Sequence, residues 1–245
     1  VSSFIQHKNP DIVINTAAYN NTEECESSPE KSFRVNAIGA YYVAQAASRV
    51  GAKNFFISTN YVFDGSKPSF TEDDCPNPLN VYGASKYAGE NLIKIADNNA
   101  LIIRTSMLFG VSYQSGKGYN FVSLMLEKAR RGEEIKVVND EFGSPTYTRD
   151  IAYAIKELID RGASSGTYHI VNSGSCSWYE FAVAIFELSG IHPKKIIPIL
   201  TIESGSHIVR PVSTVLTSNK LASVGVAYLR PWKEALAVYL KEIMI

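Results

Sequence analysis

The sequence predicts an α/β protein: a doubly wound parallel sheet with helices on both faces, joined to a smaller α+β unit. Three observations predict it. Short apolar runs alternate with helical stretches between residues 11 and 105. These runs are apolar at nearly every position, as in strands covered on both faces rather than one. After residue 110 the pattern shifts to shorter strands, turns and an aromatic-faced helix.

Taken in order, Asp11 to Ala18 reads as a strand buried on both faces, and Ser32 to Val50 as a helix closed by Gly51. Asn54 to Thr59 is a second buried strand. A helix spans Asn80 to Asn98, and Ala100 to Thr105 is a third strand. Phe121 to Arg131 is an amphipathic helix ending at Gly132, followed by a short strand from Ile135 to Val138 and a turn at Gly143-Ser144-Pro145-Thr146. Asp150 to Arg161 is helical, and Thr167 to Val171 is a strand able to rejoin the main sheet. Ser177 to Ser189 is a helix, Ile191 to Thr217 is rich in Pro, Ser and β-branched residues, and a helix from Pro231 to Met244 ends the chain. This places residues 1–112 and 148–172 in the sheet unit and 113–147 and 173–245 in the second. In such sheets ligands sit beyond the carboxyl ends of the strands, so Ala17-Ala18-Tyr19, Ser58-Thr59-Asn60 and Thr105-Ser106-Met107 should meet at one cleft.

Composition narrows the function. Lys and Arg equal Asp and Glu at 24 each, so no positive excess exists to hold nucleic acid through its phosphates. The only dense basic run, Lys128, Arg130 and Arg131, reads as the wet end of a helix. Three cysteines, Cys25, Cys75 and Cys176, form no C-x-x-C pair, which argues against a disulfide framework or structural zinc and suits a reducing cytosol. No apolar run reaches the ~20 residues needed to cross a membrane. The four histidines, His7, His169, His192 and His207, show no metal-ligand spacing.

The sharpest chemical signal is Tyr82-Gly83-Ala84-Ser85-Lys86. Spacing of i and i+4 puts Tyr82 and Lys86 on one helix face. An ammonium beside a phenol favours the phenolate and lowers its ordinary value of ~10, making it usable in proton transfer. Around this pair stand Asn15-Thr16-Ala17-Ala18-Tyr19, Val35-Asn36-Ala37, Ser58-Thr59-Asn60-Tyr61-Val62-Phe63-Asp64-Gly65, Pro78-Leu79-Asn80-Val81, Ala88-Gly89-Glu90, Arg104-Thr105-Ser106, Gly174 to Phe181 and Arg210-Pro211. In these segments, and in their order over nearly the whole chain, the sequence resembles the extended, sugar-nucleotide branch of the short-chain dehydrogenase/reductase superfamily. Within it the sequence is most similar to the dTDP-4-dehydrorhamnose reductases.

The resemblance implies a Rossmann-like domain with a substrate lid, and NADPH or NADH reducing the 4-keto group of a nucleotide-activated 6-deoxy sugar. It implies that Tyr82 protonates the carbonyl oxygen, that Thr59 hydrogen-bonds the same oxygen, and that Lys86 holds the nicotinamide ribose. Ala17, Ala18, Tyr19, Ser58, Arg104, Thr105 and Ser106 would border the cofactor, and Asn36 would support Lys86. Asn60, Tyr61, Met107, Asn120, Phe121 and Arg210 would meet the substrate, with Arg210 suited to a diphosphate by its planar fork. Trp178 and Tyr179 are expected to pack the lid core. A homodimer is compatible with the resemblance, and so is Mg²⁺ at a subunit contact, for which it assigns no ligands.

The sequence departs from this family in three places. The glycine-rich strand-turn-helix that cradles a pyrophosphate is missing, and Gly116-Lys117-Gly118 has the wrong spacing to replace it. We expect the natural protein to carry that segment, about 40–60 residues judged from one βαβ unit; without it, dinucleotide binding should be weak. The residue that selects NADH or NADPH belongs to the same region. Asn60 stands where the rhamnose enzymes usually carry Asp, and Met107 where they usually carry Trp, which leaves the sugar open. Two other readings stay open at this point: a non-catalytic regulatory relative that binds nucleotide or cofactor, and a sugar-nucleotide epimerase or dehydratase.

Overall fold

The computed structural model describes residues 1–111 and 118–244. The expected unit boundary at 112–113 and Gly116-Lys117 lie outside the described residues. The elements that position the site are, in chain order, β1 (Ile12–Asn15), α1 (Ala40–Arg49), β2 (Lys53–Ile57), α2 (Val81–Ala96), β3 (Leu101–Arg104), α3 (Phe121–Arg130), β4 (Glu134–Val138), α4 (Thr148–Asp160), β5 (Gly166–His169), α5 (Trp178–Ser189), β6 (Lys195–Ile199) and α6 (Trp232–Ile243).

The main sheet runs β1-β2-β3-β5 with every pairing parallel, in the register Ile14↔Phe55, Phe56↔Ile102 and Ile103↔Tyr168. Successive residues on a strand face opposite sides. Phe55, Leu101 and Ile103 therefore pack with Ile151, Ile155 and Leu158 of α4, while Phe56 and Ile102 pack with Ala40, Ala44 and Ile93 of α1 and α2. The continuous apolar runs are the imprint of these two cores. Leu221 and Val226, from late in the chain, join the α4 side.

β1 departs from expectation. It ends at Asn15, whose Oδ1 accepts the Ala17 amide, and it is an edge strand with Ile14 46% exposed rather than buried on both faces. Among the described residues it pairs with β2 alone, at the edge of the sheet. The expected single helix over 32–50 is also broken. A short α-helix, Pro29–Phe33, passes through a π-helical turn, Arg34–Gly39, before α1. That wider turn carries the fully buried Asn36.

The second core gathers Phe109, Val122, Leu126, Ile135, Tyr147, Phe181, Leu236 and Tyr239. Alongside it β4 and β6 pair in parallel from Glu134↔Lys195 to Val138↔Ile199. The strand β6, rich in isoleucine, lies within the stretch noted for its Pro, Ser and β-branched residues.

Helix α2 is seated against backbone. A Cβ on Gly83 would stand 2.1 Å from the Tyr61 carbonyl oxygen, and one on Gly89 2.4 Å from that of Asn36. No side-chain rotation relieves either contact. Gly89→Ala gains about 1 kcal/mol of helix propensity, but overpacking costs roughly 1–3 kcal/mol and the displaced helix more. The variant should unfold at lower urea concentration; an unchanged or higher midpoint would show that α2 does not rest on that carbonyl.

Candidate active site

The strands β1, β2 and β3 deliver Thr16, Ser58 and Thr105 to one cleft of about 400 Å³, as expected for the carboxyl edge of a parallel sheet. Thr59, Asn60, Tyr61, Tyr82, Lys86, Ser106 and Met107 line it from the sheet side; Asn120, Phe121, Glu141, Trp178 and Arg210 line it from the other.

Asn80 caps α2 by accepting the Gly83 amide, so Tyr82 lies in the first turn and Lys86 one turn on. Tyr82 hydrogen-bonds Thr59, whose hydroxyl also accepts the Tyr61 amide at 3.2 Å. The ammonium of Lys86, 1% exposed, donates to the Ile57 carbonyl at 2.6 Å and sits 3.9 Å over the Phe56 ring.

The electrostatics reverse the simple expectation. Loss of water pushes the Tyr82 phenol up to about 12, with the Thr59 hydrogen bond opposing. Burial pushes Lys86 down to about 7, with the Glu90 charge opposing. Desolvation penalises the charged form of each, and the mutual attraction that spacing alone suggested is not among the causes of either shift. The consequence suits a proton donor: the phenol stays protonated at neutral pH.

Arg104 does not border the cleft. It is 3% exposed and clamps Glu90 through two hydrogen bonds of 3.0 and 2.7 Å, while Ser58 donates to the same carboxylate at 2.6 Å. Asn36 makes no hydrogen bond to Lys86. Its amide brackets the Tyr19 backbone, accepting at 2.7 Å and donating at 2.9 Å, and donates to Ser85 at 2.9 Å. It steadies the residue beside Lys86. Ala18 lines the cleft, but Ala17 and Tyr19 do not; the Tyr19 phenol donates to Glu24 instead.

On the lid side, Asn120 caps α3 and spends both amide hydrogens on the Gly110 carbonyl and the Tyr239 hydroxyl. Asn60 donates to Thr214 at 2.6 Å. Both line the cleft with amides already engaged, so they shape it more than they read a ligand. Phe121 stacks against Phe181 and touches Trp178, ring centroids 4.7 Å apart. Met107 holds a left-handed backbone, φ 44°, and its sulfur leaves no room for a Cβ on Gly143.

Several lining residues were not read as site residues from the sequence, Glu141 and Thr214 among them. Trp178, expected in the lid core, packs there and also faces the cleft. The Ser177-to-Glu180 capping box that starts α5 places it. Thr214 reaches the cleft only through the long connection after β6. Glu141 carried no signal, being one acid among several.

A nicotinamide cofactor fits the sheet side. Thr105 lines the cleft with a buried hydroxyl that has no partner among the described residues, and Tyr82 and Lys86 line the same cleft.

The RmlD substrate binding domain family matches residues 1–245. The chain belongs to that family. It is 43% identical over 237 residues to the spore coat polysaccharide biosynthesis protein SpsK of Bacillus subtilis, covering 96% of this chain and 81% of SpsK. It is 38% identical to a dTDP-4-dehydrorhamnose reductase of Mycolicibacterium smegmatis over 231 residues, 93% of this chain and 69% of that one. The crystal structure of a dTDP-4-dehydrorhamnose reductase from Bacillus anthracis, in complex with NADP, superimposes with a TM-score of 0.93 at 40% identity, covering 98% of this chain and 84% of that one. In this RmlD-family chain no described helix is long and apolar enough to cross a membrane.

The buried Lys86 has a signature in stability. Unfolded, it keeps its proton up to its ordinary 10.5; folded, it releases it near 7. Between those values unfolding takes up a proton, so raising pH favours the folded state. The urea midpoint should climb from about pH 7 to 10, and Lys86→Met should lack that climb. Parallel curves would place the folded lysine at its ordinary value.

Proposed function

We propose that this chain reduces the 4-keto group of a nucleotide-activated 6-deoxy sugar with NADPH or NADH, in the manner its dTDP-4-dehydrorhamnose reductase relatives are named for. The observation that carries the reading is the meeting of Tyr82, Thr59 and Lys86 at one cleft where three parallel strands end. A reduced nicotinamide supplies the hydride when bound. The chain's own part is to orient the ketone and complete it with a proton.

Tyr82 donates that proton to the carbonyl oxygen, which becomes the new hydroxyl. Burial keeps the phenol neutral beforehand, and Thr59 steadies the charge left on it afterwards. Lys86, fixed on the Ile57 carbonyl, is placed to meet ribose hydroxyls with its remaining hydrogens. Met107, Phe121 and Trp178 give the sugar an apolar bed. A cytosolic setting belongs to the same reading, supported by three free cysteines, one of them exposed. So does a homodimer, which rests on the resemblance alone.

The test is NAD(P)H oxidation against a panel of 4-keto nucleotide sugars. Net consumption marks a reductase, whereas an epimerase regenerates its cofactor. Tyr82→Phe should lower turnover by about 10²–10⁴, the usual worth of general acid catalysis. Turnover retained in that variant would remove Tyr82 from the mechanism.

A further inference from the structure

Two opposite charges line the cleft, close enough to feel each other but not joined as an ion pair. Glu141 is 5% exposed, and no described side chain stands within ion-pair distance of it or of Arg210. The Thr201 hydroxyl shares its one hydrogen between Asp140 at 2.7 Å and one Glu141 oxygen at 3.0 Å, and Trp178 stands beside the Glu141 carboxylate. A carboxylate accepts about four hydrogen bonds, so acceptor capacity remains on the cleft side. The Arg210 Nε is buried and unpartnered among the described residues. A buried donor left unmade is costly, and the cleft is where a partner can enter.

Their place in the fold says what that partner meets. The Phe142 amide donates to the Val212 carbonyl, and Thr214 donates back to the Phe142 carbonyl, which sets Glu141 beside the segment from Arg210 to Val212. The same segment is tied to the reaction centre. Asn80, the cap of the Tyr82 helix, donates to the Val209 carbonyl at 3.2 Å, and Asn60 donates to Thr214. Between these two ties stands Arg210, and both charges act on the Tyr61 hydroxyl, whose ring packs edge-on against Tyr82 at 6.0 Å. A diphosphate this close to Glu141 would be repelled. A neutral group that accepts from the guanidinium and donates to the carboxylate is not, and a hydroxyl does both.

We propose that Glu141 and Arg210 together grip one ring hydroxyl of the sugar, Arg210 donating to its oxygen and Glu141 accepting its hydrogen. This pair is then a specificity determinant for the sugar, not a diphosphate clamp. The proposal rests on the sugar-nucleotide reading above and replaces the sequence-based expectation for Arg210.

The test is a cycle of residue against hydroxyl. Calorimetry on the full chain with NADPH measures the affinity of a dTDP-6-deoxyhexose and of its analogues lacking one ring hydroxyl, for the unsubstituted protein, Glu141→Ala and Glu141→Gln. Losing a charge-assisted hydrogen bond should weaken binding of the parent sugar about 10–100-fold in Glu141→Ala. Glu141→Gln, which keeps size and an acceptor, should lose less. For one deoxy analogue, the unsubstituted protein and Glu141→Ala should bind alike. Equal losses for the parent and every analogue would overturn the assignment, as would unchanged binding of the parent by Glu141→Ala with Glu141→Gln behaving the same. The reaction is scored separately: a cycle that closes as expected in a protein that oxidises no NAD(P)H would sink the reductase reading and leave the hydroxyl grip standing.

Discussion

The buried pairing of Glu90 with Arg104 and Ser58 holds the site in register. Tyr82, Lys86 and Glu90 follow one another at four-residue steps along one face of α2. The last of them is fully buried and clasped by the ends of β2 and β3. Removing one partner from such a pair leaves an uncompensated charge in the interior, which makes slippage of the helix costly. Glycines allow the rest of the seating, since α2 touches the backbone of Tyr61 and Asn36 at Gly83 and Gly89. Tyr82 is thus located by an ion pair two turns away and by two missing methyl groups.

Much of this was legible in the residues themselves. The parallel sheet followed from apolar runs with no polar alternation, because both faces of β2 and β3 are covered. The pairing of Tyr82 with Lys86 followed from helical spacing, and Thr59 from its place at a strand end. What was not legible depends on distance along the chain or on burial. Arg104 and Glu90 are joined only once α2 lies over β3. The π-helical turn that presents Asn36 has no pattern distinct from an ordinary helix. Spacing reported that Lys86 is near Tyr82 but not how little water reaches either, so the direction of the phenol's shift came out wrong. Glu141 and Thr214 become neighbours of the site only through the threading of the 209–217 segment.

The charge state that results has a simple logic. Exclusion of water holds the Tyr82 phenol in its protonated form, the state that the proposed reduction needs at its start, and no neighbouring cation pulls it the other way. Lys86 is held by a carbonyl and an aromatic face, so its role is one of placement. Thr59 lies on both sides of the problem: it caps the turn that carries Tyr61 and hydrogen-bonds the phenol that must survive losing its proton.

The fastening of residues 209–214 to Asn80 and Asn60 has a wider consequence. Recognition and chemistry are not separate modules here. The strap that forms one wall of the cleft is pinned to Asn80, the cap of the helix that carries Tyr82, so under the proposed function a change of substrate is not a matter of swapping a loop. Any remodelling of that wall will be felt as a change in tempo as well as in taste, and variants selected for a new sugar should be expected to need repair at the cap of the catalytic helix.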